Sequence, residues 1–146
     1  MKRFLVDTSC MVAAVSAWHA EHTSTLGELN RRLTRGEVLV SSGPALIEAY
    51  SVLTRLPSPH RLSPDDALAL LEANFITKAN VVSLDSDSYV RLLRGAPALG
   101  VYGGRSHDAV IAECAVQARV EALLTLNGSH FKGWESDRLK IVVPAP

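Results

Sequence analysis

The sequence predicts an α/β protein: a three-layer α/β/α sandwich with a central, mostly parallel, five-stranded sheet. Short apolar runs alternate with longer helical segments along the chain, as in successive βα units. Two of the runs, at 4–6 and 122–124, are continuously apolar, which is typical of parallel strands covered by helices on both faces. No repeat or low-complexity tract interrupts this alternation.

The individual elements follow from local signals in the chain. Strands are predicted at 3–7, 37–41, 81–84, 122–126 and 140–143. Helices are predicted at 8–15, 19–35, 44–56, 63–75, 86–94 and 107–119. Thr8 or Ser9 can cap the first helix, Gly36 ends the second, and Pro44 suits the first position of the third. The stretch 95–104, with four glycines and a proline, is interpreted as a loop.

Composition limits the size, the location and the partners of the protein. With 146 residues, 47% of them hydrophobic, the chain can bury one core, so we expect a single domain over residues 1–146. Fifteen Lys and Arg balance fifteen Asp and Glu, which disfavours broad non-specific binding to nucleic acid. Cys10 and Cys114 lie in apolar helical segments and indicate a reducing cytoplasm. The apolar run before Asp7 is only three residues long, at 4–6, so we expect neither a signal peptide nor a membrane span.

Polar residues fall where a parallel α/β sheet binds its ligands, beyond the carboxyl ends of the strands. Asp7 ends the first strand, and the hydroxyls of Thr8 and Ser9 follow it. Such an Asp can serve as a helix N-cap or as a carboxylate of a site. Asn127 follows the fourth strand and precedes Gly128, where a turn role is also suitable.

Two further carboxylates are predicted on inward helix faces. Glu48 lies about 40° from Val52, on the helix side that also carries Ala45, Ala49 and Leu56. A Glu side chain that points inward needs a hydrogen-bond donor, a basic partner or a metal. Alternatively, Glu48 lies at the rim of the apolar helix face and extends its carboxylate into solvent. Asp108 shares a face with Ile111 and Ala115, on a helix that Ser106 can cap. Alternatively, Asp108 has a purely structural role, in which its charge interacts favourably with the helix dipole.

Together, these four side chains predict an oxygen-rich site at one edge of the sheet. Carboxylate and amide oxygens suit Mg²⁺ or Mn²⁺, whereas the absence of HExxH and CxxC patterns disfavours zinc. Arg105, in the loop before Asp108, is placed to hold a phosphate or is a solvated arginine. His107 and His130 are interpreted as surface residues. Trp134 can stack on a planar group or cover the sheet edge.

Four sequence blocks resemble the PIN domain, and within it the VapC-type ribonuclease toxins of bacterial toxin–antitoxin pairs. The blocks are Phe4-Leu-Val-Asp7-Thr-Ser9, Pro44-Ala-Leu-Ile-Glu48-Ala-Tyr, Ser106-His-Asp108-Ala-Val-Ile-Ala112 and Leu124-Thr-Leu-Asn127-Gly-Ser-His-Phe131. The four key positions of these blocks, 7, 48, 108 and 127, are separated by 41, 60 and 19 residues. The resemblance spans nearly the whole chain.

The resemblance implies Mg²⁺- or Mn²⁺-dependent cleavage of RNA, which would inhibit translation, by a homodimer that a VapB-type antitoxin binds. The family's acidic quartet corresponds to Asp7, Glu48, Asp108 and position 127, where Asn127 replaces the Asp of many members and removes one negative charge. We expect Asp7 and Asp108 to hold the metal, Glu48 to act through water, and Thr8 and Ser9 to support them.

Two alternative functions remain open at this point. Asp7 can be the nucleophile of an α/β phosphatase, although such enzymes usually carry an Asp-x-Asp pair and this chain has Asp7-Thr8-Ser9. A non-catalytic PIN-like module that binds RNA or protein is the second alternative, which Asn127 favours.

Overall fold

The computed structural model describes residues 2–146 and contains one five-stranded, fully parallel sheet. Its strands are β1 (Arg3–Val6), β2 (Val38–Ser42), β3 (Asn80–Val82), β4 (Ala122–Leu124) and β5 (Lys140–Val142). The spatial order is β3-β2-β1-β4-β5, so β1 lies at the centre. In register, Leu5 pairs with Val40 of β2 and with Leu123 of β4. All five predicted strands are confirmed, with bounds that differ by two residues at most.

Helices cover both faces of this sheet. They are α1 (Thr8–Val15), α2 (His22–Thr34), α3 (Gly43–Thr54), α4 (Pro64–Leu71), α5 (Ser86–Gly95), α6 (Arg105–Gln117) and α7 (Gly128–Phe131). A π-helical turn (Glu72–Ile76) follows α4, and a 3₁₀ turn (Lys132–Trp134) follows α7. Phe4, Leu5 and Val6 are all fully buried, and successive side chains of a strand point to opposite faces. Both faces of β1 are therefore covered, which confirms the predicted three-layer fold.

Parallel pairing places Asp7, Gly43 and Thr125 at a single edge of the sheet. All five strands run in the same direction, so the segments that follow them emerge on the same side. Asp7 follows β1, Gly43 begins α3 directly after β2, and Thr125 follows β4. The central position of β1 between β2 and β4 therefore brings Asp7 between the other two chain segments.

Several predicted helix starts are wrong in detail. Asp7, rather than Thr8 or Ser9, is the N-cap of α1, and its carboxylate accepts a hydrogen bond from the Cys10 N–H. Helix α6 begins at Arg105, which is therefore helical rather than part of a loop. The Ser106 hydroxyl does not cap α6, because it donates to the Gly103 carbonyl at 2.7 Å.

The start of α2 is also later than predicted, because residues 16–21 form turns before the helix begins at His22. Gly36 ends α2 as predicted, with a φ of 82° that favours glycine. The inward side of α3 consists of Ala45, Ala49 and Leu53. Val52 and Leu56 are only half-buried, since the buried stripe advances by four residues at each step.

Cys10 and Cys114 are both buried and free, as predicted for small apolar residues. Burial raises the pKa of the Cys114 thiol to about 11, so it stays protonated at neutral pH. Within residues 2–146, no helix combines the length and the apolar character that a membrane crossing requires.

Candidate active site

The four side chains singled out in the sequence line one surface depression. Asp7, Glu48, Asp108 and Asn127 surround a volume of about 260 Å³ beyond the carboxyl ends of the strands. Thr8 and Ser9 also line it, as expected for supporting residues, and so does His19 from the turns between α1 and α2. Residues separated by up to 120 positions in the chain therefore share one small space.

Asp7 combines two roles that the sequence left as alternatives. It caps α1, with Oδ1 accepting from the Cys10 N–H at 3.0 Å, and it also lines the depression. The Ser9 hydroxyl donates to the same Oδ1 at 2.7 Å, and the Thr125 hydroxyl donates to Oδ2 at 2.6 Å. Only 3% of Asp7 is exposed. The carboxylate is therefore held rigidly, and Oδ2 has a further lone pair to offer.

Thr125 is a site residue that the sequence reasoning missed. Its hydroxyl donates to Asp7 and accepts from the Asn127 N–H at 2.9 Å, so it links the end of β1 to the start of α7. The Leu126 N–H donates to the Ser9 hydroxyl at 2.9 Å and forms a second link across the same gap. The available signal was a threonine in the otherwise apolar run 122–126.

Burial sets the protonation of Asp7. Loss of hydration raises the pKa of its carboxyl to about 6, although the hydrogen bonds from Thr125, Ser9 and Cys10 act in the opposite direction. The negative charge of Asp108 raises it further. An acid with this pKa is mostly ionised at neutral pH, but its charge is poorly compensated by the protein.

Asp108 lies in the first turn of α6 and has a mixed electrostatic environment. Desolvation raises the pKa of its carboxyl, and the Glu48 charge acts in the same direction, whereas His130 and Arg105 lower it. His130 Nδ1 lies 3.2 Å from Asp108 Oδ2. The His130 side chain is 39% exposed and so lies at the surface, as interpreted, but the short helix α7 also brings it against Asp108.

The other two predicted residues are placed less tightly. Glu48 is half-buried on α3, so its carboxylate reaches the depression from the rim. Asn127 is the N-cap residue of α7, but its side chain makes no capping hydrogen bond. The backbone of Asn127 thus takes the turn role that the sequence allowed, while Asn127 also lines the depression.

The donors of this depression fit a hydrated divalent cation. The Thr8 hydroxyl oxygen is buried and has no hydrogen-bond partner among residues 2–146, which is unfavourable unless a water or an ion meets it. Asp7 and Asp108 repel each other, and a cation between them would relieve that repulsion.

The arrangement favours an ion that keeps much of its water. In the described part of the chain, no three His, Cys, Asp or Glu side chains converge closely enough to ligate one ion together. Mg²⁺ is commonly held by one or two carboxylates and several waters. Direct ligation by Asp7 and Asp108, with Glu48 acting through water, stays a prediction.

Comparison with known proteins defines the class of this fold and site. A family model described as the PIN domain matches residues 4–132. The chain therefore belongs to the PIN-domain family. Ribonuclease VapC40 of Mycobacterium tuberculosis is 38% identical over 135 residues, which cover 92% of this chain and 94% of that protein. Within the family, the chain is homologous to ribonucleases of the VapC type.

Solved structures share the same fold at lower sequence identity. VapC20 of Mycobacterium tuberculosis, described as a sarcin–ricin loop cleaving toxin, superposes with a TM-score of 0.69 at 18% identity, covering 92% of this chain and 97% of that chain. The VapBC structure from Salmonella typhimurium, bound to DNA, gives 0.68 at 19% identity and covers 99% and 100%. The ribonuclease class replaces the phosphatase interpretation of Asp7 and argues against a non-catalytic module.

Proposed function

We propose that residues 1–146 form a single PIN domain that acts as a Mg²⁺- or Mn²⁺-dependent endoribonuclease and inhibits translation by cleaving RNA. The observation that carries this proposal is the shared depression of Asp7, Glu48, Asp108 and Asn127, which contains two mutually repelling carboxylates, Asp7 and Asp108. Such a site is electrostatically unfavourable on its own and becomes favourable around a cation.

Metal chemistry accounts for the reaction class. A bound Mg²⁺ or Mn²⁺ would neutralise the phosphate charge and make the attacking water more acidic. Asp7 and Asp108 would hold it directly, and Asn127 contributes an amide oxygen in place of the negative charge of an Asp. The loss of that charge favours one tightly held ion over two.

The protein's own groups then orient the substrate and move one proton. Glu48, at the rim, accepts a proton from the water whose oxygen attacks phosphorus. The bond from phosphorus to the 3′ oxygen breaks, which leaves a 5′-phosphate and a 3′-hydroxyl after that oxygen gains a proton from solvent. Thr8 and Ser9 orient waters, and Arg105 holds a non-bridging phosphate oxygen. The Thr125 hydroxyl bonds both Asp7 and the Asn127 N–H, and so fixes the position of one relative to the other.

The test is cleavage of single-stranded RNA by purified protein in Mn²⁺, with the product ends identified chemically. Addition of EDTA, or the substitution Asp7→Asn, should abolish cleavage, and the products should carry 5′-phosphates. Cleavage that persists in EDTA, or products with cyclic phosphates, would exclude this mechanism. Binding of Mn²⁺ by the wild type but not by Asp7→Asn, measured by calorimetry, provides an independent readout.

We further propose that a VapB-type antitoxin inhibits this chain and that the chain forms a homodimer in the cytoplasm. Support comes from solved relatives, which include VapBC from Salmonella typhimurium and FitAcB from Neisseria gonorrhoeae. Exposed apolar side chains such as Ile47 on α3 and Leu93 on α5 offer surfaces for such contacts. Light scattering of the purified chain, alone and after co-expression with a VapB-type protein, tests both assemblies.

A further inference from the structure

A groove adjoins the acidic depression on the side of α6 and α7. Two neighbouring cavities, of about 190 and 280 Å³, share the side chains of Leu99, Val101 and Trp134. The larger one is also lined by Arg105 and His130. Since His130 touches Asp108, this cavity begins directly beside the carboxylates of the candidate active site.

The walls of the larger cavity combine apolar surface with positive charge. Leu99 and Val101 come from the loop 96–104, and Trp134 comes from the 3₁₀ turn after α7. Arg105 has no ion-pair partner within 4 Å among residues 2–146, so its guanidinium can bind an anion. An aromatic ring and aliphatic walls beside a free cation match a planar base attached to a phosphate.

The loop that supplies the apolar wall is held by its backbone. The Leu99 N–H donates to the Gly95 carbonyl at 3.2 Å, and the Val101 N–H donates to the Ala96 carbonyl at 2.9 Å. Nevertheless, Leu99 is 77% exposed. An anchored loop that presents a leucine to solvent at the mouth of a cavity is suited to contact a ligand.

From these observations we infer that the larger cavity binds one unpaired nucleobase next to the cleaved phosphodiester and so selects the RNA sequence that is cut. This inference rests on the proposed ribonuclease function. A volume of about 280 Å³ lies just below the usual range for drug-sized ligands, roughly 300–1,000 Å³, and suits a single heterocycle. The smaller cavity contains Arg91 but also Glu113, whose charge opposes phosphate, so the base is assigned to the larger one.

The two tryptophans of the chain allow a direct test of binding. Trp18 stacks on His60 with a centroid distance of 4.2 Å and is a second candidate for base stacking. The readout is tryptophan fluorescence. The variant Trp18→Phe keeps only Trp134, and the variant Trp134→Phe keeps only Trp18. Tetranucleotides of adenosine, cytidine or uridine are added in EDTA, so that no RNA is cut. We expect quenching in Trp18→Phe only. Quenching in Trp134→Phe only, or in neither variant, would overturn the inference.

A second test uses exposed residues that the fold does not need. Leu99→Ser should weaken tetranucleotide binding roughly tenfold and flatten the base preference at one position beside the cut in a randomised RNA. Leu68→Ser is the matched control, because Leu68 on α4 is 51% exposed and lines neither cavity. Unchanged base preference in Leu99→Ser refutes the inference, whereas a wild type that binds RNA but never cleaves it refutes the proposed function instead.

Discussion

Asp7→Asn removes a buried negative charge while retaining the shape of the side chain. The variant should be more stable than the wild type at neutral pH, although we expect it to lose catalytic activity. The reason is that burial and the Asp108 charge disfavour ionised Asp7 in the folded protein. An amide in the same place can still accept from Ser9 and Cys10 through its oxygen, and its NH₂ group can donate to the Thr125 hydroxyl.

The magnitude follows from the shift of the Asp7 pKa, from 3.8 to about 6. A difference of about 2 units corresponds to about 3 kcal/mol, since each unit is worth about 1.36 kcal/mol. Between pH 4 and pH 6 the folded protein binds more protons at Asp7 than the unfolded chain does. Its stability therefore falls across this window and stays lower above it. The advantage of Asp7→Asn should thus be close to zero near pH 4 and reach about 3 kcal/mol above pH 6.

Urea unfolding at a series of pH values, in EDTA, measures this difference. Asp85→Asn is the matched control, because Asp85 also caps a helix, with Oδ1 accepting from the Ser88 N–H at 2.8 Å. Asp85 is exposed, and its hydrogen bonds to Ser88 lower the pKa of its carboxyl. Asp85→Asn should therefore destabilise the protein at neutral pH. If both variants destabilise it at pH 8, the electrostatic account of Asp7 is refuted.

Three other substitutions test the candidate site. Thr125→Val removes the link between Asp7 and the Asn127 N–H, and should lower the free energy of unfolding by about 1–3 kcal/mol and reduce cleavage; unchanged urea midpoint and rate would contradict this role. Asn127→Asp adds a negative charge and should tighten Mn²⁺ binding, as measured by calorimetry, while equal affinity would place residue 127 outside the metal's reach. Arg105→Ala should weaken RNA binding at low salt and leave Mn²⁺ affinity unchanged; weakened Mn²⁺ affinity would contradict its assignment to phosphate. A saturating excess of Mn²⁺, about 100 times its Kd, should stabilise the wild type by about 2.7 kcal/mol but not Asp7→Asn, in a thermal unfolding assay.

Sequence reasoning was strongest where a local pattern has a single structural solution. The continuously apolar run 4–6 predicts a doubly covered parallel strand, because a half-exposed strand would alternate. Pro44 and Gly36 mark helix bounds, since each residue type restricts the backbone in a known way. The acidic positions were found because Asp7 follows a strand directly and Glu48 interrupts the apolar side of a helix.

Helix starts and side-chain partners were predicted less well. Ser106 is a residue type that commonly caps helices, but its hydroxyl donates to the Gly103 carbonyl because α6 begins at Arg105, two residues earlier than predicted. His130 was placed on the surface, yet the return of α7 brings it against Asp108. Contacts of this kind join residues distant in the chain, and their distances depend on the angles between elements rather than on local preference.

The amino-acid sequence by itself determined the α/β class, the five strands, and the positions of Asp7 and Asn127 after strand ends, because periodicity and turn chemistry act over a few residues. Only the tertiary structure decided that Asp7 would be buried enough to raise its pKa to about 6, and that Thr125 would hold it. Burial and hydrogen bonding between β1 and the end of β4 arise from packing across 118 residues of chain, and no local pattern encodes them.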